Sequence, residues 1–381
     1  MHDSKALQRR ALLKTAGALA LAGALPRVAH AQAAQGAAQA ADQPAEKHFA
    51  PQPGDWKSYE VTTRVDLQHA SGASTIWVPL PVIDTDWQRT LSNNWSGNAV
   101  KMSVGSDPHY GAQFLVAEFD GSAAPHLEVV SRVQTRNRKA DWKKPGGASE
   151  DADDLRVFLQ PTDLLPLDGL VKKTALQITS GAKTDEQKVQ RIYDWIVLNT
   201  FREPKVRGCG TGDIKTMLQT GNFGGKCADL NGLFVGLCRA SGVPARDVYG
   251  IRIAPDEFGY KALGGKPAGL QGAQHCRSEV YLKRHGWVAM DPADVAKVMR
   301  EETANWIKDP DAPLVAPVKQ ALYGGWEGNW MGYNFAHDVR LPGFSQGKVG
   351  FLMYPQAQNK GEVYDSLDPA NFKYVITSRA I

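Results

Sequence analysis

The chain has 381 residues, of which 43% are hydrophobic and 22% are charged, the proportions of a soluble globular protein. This length exceeds what one ordinary hydrophobic core needs and favours two folded units. The first 31 residues hold five basic side chains and one acidic side chain. Removing them from the totals of 44 and 40 leaves 39 of each sign, so the net charge of +4 belongs to that segment. The balanced remainder argues against a nucleic-acid-binding protein.

Residues 1–31 have the pattern of an export signal. Arg9 and Arg10 precede the small and apolar run TAGALALAGALP, and the small-x-small motif AHA ends at Ala31, as a signal peptidase requires. The paired arginines resemble a twin-arginine signal, which directs bacterial proteins across the inner membrane. The alternative, a membrane anchor, needs about 20 apolar residues, more than this run contains. We therefore predict a soluble periplasmic protein after signal removal, with an Ala- and Gln-rich linker at residues 32–54.

Alternation of apolar and polar residues predicts an antiparallel β domain at residues 55–140. Its first strand alternates strictly over residues 59–67. Similar runs are separated by Gly, Asn, Asp and Pro clusters, and they lie at residues 75–80, 113–119 and 127–135. Residues 141–180 open with a polar stretch that contains Pro-Gly-Gly, and we assign them to a linker region.

Helix signals dominate the start of the second predicted domain, residues 181–381. Thr184 with Gln187 three residues later is a capping-box pattern. A second helix begins at Cys227, with apolar residues at three- and four-residue steps, and ends before Gly242. Strand patterns then follow at residues 246–253, 278–282, 286–290, 349–354 and 374–377. Helices followed by strands favour an α+β fold, preceded by the antiparallel β domain.

Cys227 is the first candidate for chemistry, because it stands at the start of a predicted helix. Free backbone N–H groups and the helix dipole favour a thiolate there, and the same N–H groups can hold an oxyanion. The alternative is a buried cysteine that only packs, which we assign to Cys238 on the apolar stripe. No C-x-x-C motif is present, so no structural zinc site is predicted. A disulfide such as Cys209 with Cys276 stays open.

A thiolate nucleophile needs an imidazole base and a third group that orients the base. His275 precedes a predicted strand, and Asp291 ends the next one. If the two strands form a hairpin, both side chains lie at its open end, side by side. His285 lies in the connecting turn, where exposure is expected, and His337 in the tail is a reserve candidate.

Three motifs resemble those of the transglutaminase-like superfamily of papain-type thiol enzymes. They are GGKCADLNGLFVGLCRASGVPARDVYGIRI, HCRSEVYL and GWVAMDPAD, and together with the preceding helix they span residues 184–294. The resemblance implies a papain-like catalytic domain with Cys227 as nucleophile, His275 as base and Asp291 as orienting acid. The segment WVPLP in the β domain is similar to the domain that often precedes the catalytic one in bacterial members.

Two positions depart from the family pattern. Arg277 stands where many members have Trp, which predicts a more polar wall of the site. The aromatic oxyanion partner of true transglutaminases has no match, since Phe223 cannot donate a hydrogen bond. We therefore assign only the backbone N–H of Cys227 to the oxyanion.

The resemblance implies an enzyme that opens an amide or peptide bond through a thioester, without a cofactor or a metal ion. Hydrolysis is favoured over cross-linking of glutamine to an amine. A binding protein that keeps a papain-like fold and a metallohydrolase are the alternatives. The substrate is expected to be a peptide or protein, with cell-wall peptide as one candidate. Four aromatic residues either line a cleft for it or, as is commoner, belong to the core: Trp326, Trp330, Tyr333 and Phe335.

Overall fold

The computed structural model describes residues 47–68, 70–144 and 150–381, so the predicted export signal lies outside the described residues. The helices are α1 Ala152–Val157, α2 Gly169–Ile178, α3 Asp185–Asn199, α4 Ile214–Thr220, α5 Cys227–Ala240, α6 Pro292–Glu301 and α7 Ala316–Ala321. In the part of the chain that is described, none of them is both long and apolar enough to cross a lipid bilayer.

Strands make up most of the remaining regular structure. They are β1 Lys57–Asp66, β2 Ser74–Leu80, β3 Gln88–Gly97, β4 Lys101–Ser106, β5 Gln113–Phe119, β6 His126–Thr135, β7 Arg138–Lys139, β8 Phe201–Arg202, β9 Gly224–Gly225, β10 Ala245–Arg252, β11 Gln274–Leu282, β12 Gly286–Met290, β13 Gly325–Trp326, β14 Trp330–Asn334, β15 His337–Arg340, β16 Lys348–Phe351, β17 Gln356–Asn359, β18 Glu362–Val363 and β19 Lys373–Ala380. Among the described pairings, β8 with β9 is parallel and the others are antiparallel.

Two antiparallel sheets form the β-rich part of the molecule. Their strand orders are β19-β1-β6-β3 and β18-β17-β2-β5-β4. The alternation predicted for the first strand is confirmed, because its apolar face from Tyr59 to Leu67 is buried. Apolar side chains from both sheets form a shared core, among them Val65, Ile76, Val78, Leu115, Leu127 and Val129.

The end of the chain completes both of these sheets. Strand β19 pairs with β1 along eight residues, and β17 pairs with β2. Residues Lys47–Ile381 form one compact unit. The predicted domain boundaries stay a prediction, but the C-terminal extension, which we assigned to the second domain, supplies strands to the first.

A four-stranded antiparallel sheet, β12-β11-β10-β14, and a central helix carry the candidate site. Helix α5 packs on β10 and β11 and is buried along its whole length, because α2, α3 and α6 surround it. This accounts for the apolar content of α5 on all sides, which exceeds that of an ordinary surface helix. The α+β fold is confirmed.

Two helices lie inside the segment that we assigned as a linker. Helix α1 is exposed, whereas α2 buries Val171 and Ala175 against the core. Helix α2 does carry an apolar stripe, with Val171, Ala175 and Ile178 at helical spacing. Packing of this stripe against α5 and α3 stabilises α2.

Candidate active site

Cys227 is the first residue of α5, as predicted, and the carboxylate of Asp229, two positions further along, fixes that helix start. Asp229 Oδ2 accepts a hydrogen bond from the Lys226 N–H at 2.9 Å. Its Oδ1 accepts from the N–H groups of Thr211 and Gly212, at 2.9 and 2.8 Å. Asp229 therefore caps the helix and holds the loop around Thr211 against it.

The two glycines before Cys227 are part of a strand. They form β9, which pairs with β8. A Cβ atom on Gly225 would lie 2.6 Å from the Cβ of Asp229. Glycine is required at this position because the capping side chain occupies the space of any other side chain.

Three thiols lie together at the helix start. The sulfur atoms of Cys209, Cys227 and Cys276 are within 4.8 Å of one another, and all three residues are buried. All four cysteines of the chain are free, so the disulfide that the sequence left open is not formed. Cys238 is fully buried in the core, which confirms its predicted packing role.

Contacts with two distant parts of the chain hold Cys209 in this cluster. Its carbonyl accepts a hydrogen bond from the Ala228 N–H at 2.9 Å, and its sulfur lies 3.3 Å from the Gln274 carbonyl oxygen. The N–H of Cys227 itself makes no hydrogen bond within the described part of the chain, as expected for the first turn of a helix.

His275 and Asp291 meet, as the hairpin model predicts. Strands β11 and β12 pair with Ser278 opposite Met290, and β11 extends back to Gln274, so that His275 lies within the strand. The distance from His275 Nε2 to Asp291 Oδ2 is 2.7 Å. This contact leaves Nδ1 as the ring nitrogen free to exchange a proton with a neighbouring group.

That neighbouring group is the Cys227 thiol, and its pKa is low. Burial alone would raise the pKa, but hydrogen bonds from Cys209, Cys276 and His275, together with the positive charge of His275, lower it well below the usual value of a thiol. Burial lowers the pKa of His275, but Asp294 and Asp291 outweigh burial and the opposing charge of Arg252 and raise it to about 9. The pair therefore favours a thiolate and an imidazolium.

The other two thiols of the cluster are held neutral. The pKa of Cys209 is raised, first by its hydrogen bond with Cys227 and then by burial. Burial raises the pKa of Cys276 well above its usual value, and contacts with the other two thiols add to the shift. A single negative charge is thus placed on Cys227, and the neighbouring thiols donate hydrogen bonds to it.

Sequence reasoning missed the residues that hold Asp291 in place. Asn231 Nδ2 donates to Asp291 Oδ1 at 3.0 Å and to the Cys276 carbonyl at 2.9 Å. Asp291 caps α6, and its Oδ1 also accepts from the Asp294 N–H at 3.1 Å. The position of Asn231, four residues after Cys227 and on the same helix face, is a signal that could have identified it.

A second carboxylate and an arginine complete the buried network. Asp294 Oδ2 lies 3.3 Å from His275 Nε2, and its Oδ1 accepts from Arg252 at 2.6 Å. The pKa of Asp294 is well below the usual value, because the positive charges of Arg252 and His275 outweigh burial. Asp294 therefore contributes a full negative charge to the stabilisation of the imidazolium.

Arg277 does not line the cleft, so the predicted polar wall was wrong. Its side chain is buried, its guanidinium donates to the Glu327 carbonyl at 2.8 Å, and it lies over the ring of Trp330. Its Nε is 3.7 Å from Asp291 Oδ2, the oxygen that also contacts His275. Arg277 thus supports the negative charge of Asp291.

The remaining candidates lie elsewhere. His337 is buried and contacts Asp247, with Nε2 and Oδ2 3.1 Å apart, and it does not line the cleft beside Cys227. His285 is half-buried and packs edge-on against Trp142. Three of the four C-terminal aromatic residues that we singled out are buried in the core, namely Trp326, Trp330 and Tyr333, and the fourth, Phe335, lies outside the cleft.

A cleft of about 730 Å³ opens onto Cys227 and His275. Seven of the 25 residues that line it are cationic and none is Asp or Glu; the seven are Arg202, Lys205, Arg207, Lys226, Arg252, Lys266 and Lys297. One wall comes from the end of the chain, with Tyr354, Phe372 and Tyr374. Sequence patterns could not place these residues, because they reach the cleft only through the pairing of β17 and β19 with the first strands.

Gln274 lines the same cleft, with its side-chain amide beside the Tyr374 hydroxyl. Its Nε2 is buried and makes no well-formed hydrogen bond with any described residue. A buried amide in this state has a donor that a ligand can engage.

Among the residues that the structure describes, two sets of side chains each bring three possible metal-ligand atoms within 4.8 Å of one another. One set is the thiol cluster, and the other is His275 with Asp291 and Asp294. The second set already carries compensating charge from Arg252 and Arg277. The metal-free site expected from the sequence stays a prediction.

Comparison with known proteins places this arrangement in a family. The model of the transglutaminase-like superfamily matches residues 172–292, a range that contains Cys227, His275 and Asp291. An uncharacterized protein of Haemophilus influenzae is 34% identical over 345 residues, which make up 85% of this chain and 91% of that protein. The chain belongs to the transglutaminase-like superfamily.

A solved structure shares the fold of this superfamily member. A proposed cysteine protease from Cytophaga hutchinsonii superposes with a TM-score of 0.53 at 14% identity, covering 87% of this chain and 93% of that chain. The periplasmic domain of TgpA from Pseudomonas aeruginosa has a TM-score of 0.38 at 19% identity, covering 67% and 75%.

Proposed function

We propose that this superfamily member is a thiol hydrolase that cleaves amide or peptide bonds through a thioester. The Cys227 thiolate attacks the carbonyl carbon, and the C–N bond breaks as the imidazolium of His275 gives its proton to the departing amine or ammonia. His275 then takes a proton from water, which attacks the thioester, and the C–S bond breaks to release the acid. The observation that supports this most is the 2.7 Å contact of buried His275 with Asp291, in a cleft that Cys227 also lines.

Two donors are available for the oxyanion that forms at each step. The N–H of Cys227 is unpaired within the described chain, and the unpaired Nε2 of Gln274 lies in the same cleft. We assign both to the oxyanion hole. This arrangement replaces the aromatic side chain that true transglutaminases use.

Water is the proposed acceptor, rather than a lysine amine. An amine substrate enters as a cation, and the cleft presents seven cationic side chains and no carboxylate. Repulsion between like charges disfavours that substrate near the thioester. Cross-linking of glutamine to amines is the second candidate activity, and the experiment below separates it from hydrolysis.

Mass spectrometry of the products tests the proposal. The protein is incubated with glutamine-containing peptides and with cell-wall peptides, with and without an added amine. We expect a gain of one water per cleaved amide, little amine incorporation, and loss of all turnover in Cys227→Ala. Cys238→Ala, which removes the buried thiol of the same helix outside the cluster, serves as the matched control and is expected to retain activity.

Two results would contradict the proposal. Amine adducts that dominate over hydrolysed product would favour the acyltransferase. Turnover that persists in Cys227→Ala would exclude the thiol mechanism altogether.

The periplasm stays the proposed compartment. It is supported only by the pattern of residues 1–31, and a thiol enzyme in an oxidising space needs its nucleophile protected from disulfide exchange. Burial of all three clustered thiols is consistent with such protection.

A further inference from the structure

The positive charge of the cleft does not follow from the overall amino-acid composition of the chain. The chain without its first 31 residues has 39 basic and 39 acidic side chains, yet the lining of the cleft has seven basic residues and no acidic one. Clefts lined by one sign of charge concentrate ligands of the opposite sign. This feature therefore bears on which substrates reach Cys227.

Three of the seven cations are already compensated. Arg202 donates to Glu301 at 2.9 Å, Arg207 to Asp365 at 2.8 Å, and Arg252 to Asp294 at 2.6 Å. The four lysines form no ion pair with any residue that the structure describes, and they are Lys205, Lys226, Lys266 and Lys297. The four lysines therefore carry the positive charges that are available to bind a ligand.

Lys226 and Lys297 are the two that are partly buried. Lys226 immediately precedes the nucleophile, and Lys297 lies on α6, one turn after Asp294. Burial and the charges of Arg252 and Arg202 lower the pKa of Lys297 to about 8, against the opposing charges of Asp294 and Glu301. These two carboxylates already pair with Arg252 and Arg202. A partly buried ammonium without an ion-pair partner of its own is unfavourable, and a ligand anion supplies such a partner.

We infer that the cleft binds peptides that carry carboxylate groups beside the scissile amide, with one carboxylate held by Lys226 and Lys297. This inference rests on the proposed function for the position of the scissile bond, but the anion site itself does not depend on catalysis. Lys205 and Lys266, which are exposed at the rim, add long-range attraction for the same substrates.

The test uses the chain without its export signal and with Cys227→Ala, so that bound peptides are not consumed. Fluorescein-labelled peptides are made in matched pairs, in which a central glutamine is flanked by Glu or by the nearly isosteric Gln. Fluorescence anisotropy at 50 and 300 mM salt gives the dissociation constants. We expect the Glu peptide to bind about tenfold more tightly, with a preference that shrinks at high salt.

Matched lysine variants locate the site. Lys297→Gln and Lys226→Gln, each added to Cys227→Ala, are expected to reduce the preference for Glu by about threefold or more, and Lys297→Met repeats the test with an apolar stem. Lys283→Gln removes an exposed lysine of the β11–β12 turn outside the cleft and is expected to leave the preference unchanged. Thermal unfolding of each variant checks that the fold is retained.

Two binding results would contradict the anion site. Equal binding of the Glu and Gln peptides overturns the inference, and so does a preference that survives in both lysine variants. Turnover by the parent protein is measured separately. Acidic peptides that bind but are never cleaved would refute the proposed hydrolase and leave the anion site standing.

Discussion

The protonation of Cys227 and His275 links single residues to the pH dependence of the whole reaction. The thiolate is the nucleophile, and the imidazolium is the acid that protonates the leaving group. The pKa of Cys227 lies well below its usual value, and that of His275 is raised to about 9. Because the two groups interact strongly, a titration reports apparent values of the pair.

We expect a bell-shaped profile of kcat/KM against pH. Activity rises as Cys227 loses its proton, well below the ~8.5 of an ordinary thiol. It falls as His275 loses its proton near pH 9. Alkylation by iodoacetamide, followed by peptide mapping at each pH, measures the thiolate directly, and one reactive thiol is expected at low pH.

Two comparisons give this experiment its controls. His275→Gln removes the positive charge, so the reactivity of Cys227 is expected to move to higher pH. Buried Cys238 in the same protein is an internal reference that stays unreactive. Four thiols that all react slowly, and only at alkaline pH, would contradict the enzyme and favour the alternative of a binding protein.

Gln274 provides a second prediction at this scale. Since its Nε2 is unpaired in the cleft, Gln274→Ala is expected to lower kcat by about 10²-fold with little change in KM, because an oxyanion donor acts in the transition state. Steady-state kinetics measure the two constants. Gln271→Ala, which changes an exposed glutamine of the same cleft, is the control. A rise in KM alone would show that Gln274 only binds substrate.

The hairpin of β11 and β12 is the element that positions the base, and a buried ion pair anchors it. Glu279 of β11 accepts from Arg246 of β10 at 2.6 Å and from Arg138 of β7, and its side chain is fully buried. Burial would raise the pKa of Glu279, but the two guanidinium charges lower it below the usual value. The Glu279 carboxylate thus links three strands that are far apart in the chain.

We expect Glu279→Gln to destabilise the fold by about 3–5 kcal/mol, because it leaves two guanidinium groups without their counter-charge. Glu128→Gln breaks an exposed pair with Arg64 and is expected to cost below about 1 kcal/mol. Urea unfolding at neutral pH compares the two. Equal midpoints would contradict a structural role for the buried pair.

The sign of the pH effect follows from the lowered pKa of Glu279. Its contribution to stability is present above the pKa of an unfolded glutamate, ~4.3. It is lost as pH falls through the lower pKa of the folded state. The acid-side loss of stability is therefore expected to be weaker in Glu279→Gln than in the parent protein.

At the scale of the whole molecule, strands from the end of the chain pair with strands from the β-rich first part, beside the cleft. Strands β17 and β19 complete the two sheets formed by the first strands, and residues near them supply one wall of the cleft. The sequence places a β domain first and a catalytic domain second. The pairing instead joins the two ends of the chain, so the substrate cleft depends on residues from both predicted regions.

Local signals made much of the fold predictable. The alternation of β1, the Thr184 cap of α3, the start of α5 and the β11–β12 hairpin all depend on neighbours within a few positions. Strand β3 escaped prediction because most of its residues are polar and only pairing with β6 stabilises it. Helix α2 was missed although Val171, Ala175 and Ile178 lie on one stripe, because it was assigned to a linker together with the polar stretch before it.

The residues of the candidate site also fall into two groups, those that local sequence patterns identify and those that only tertiary contacts identify. The sequence by itself determined the superfamily motifs and the residues Cys227, His275 and Asp291, since each stands at a recognisable helix or strand boundary. Only the tertiary structure decided which thiols surround Cys227, that Asp294 and Asn231 support the imidazole and its carboxylate, and that the cleft is cationic. The thiol cluster, the contact of Asp294 with His275 and the charge of the cleft arise from residues far apart in the chain, and no local period encodes such contacts. For Asn231 the spacing from Cys227 is a local signal, but its contact with Asp291 is visible only in the tertiary structure.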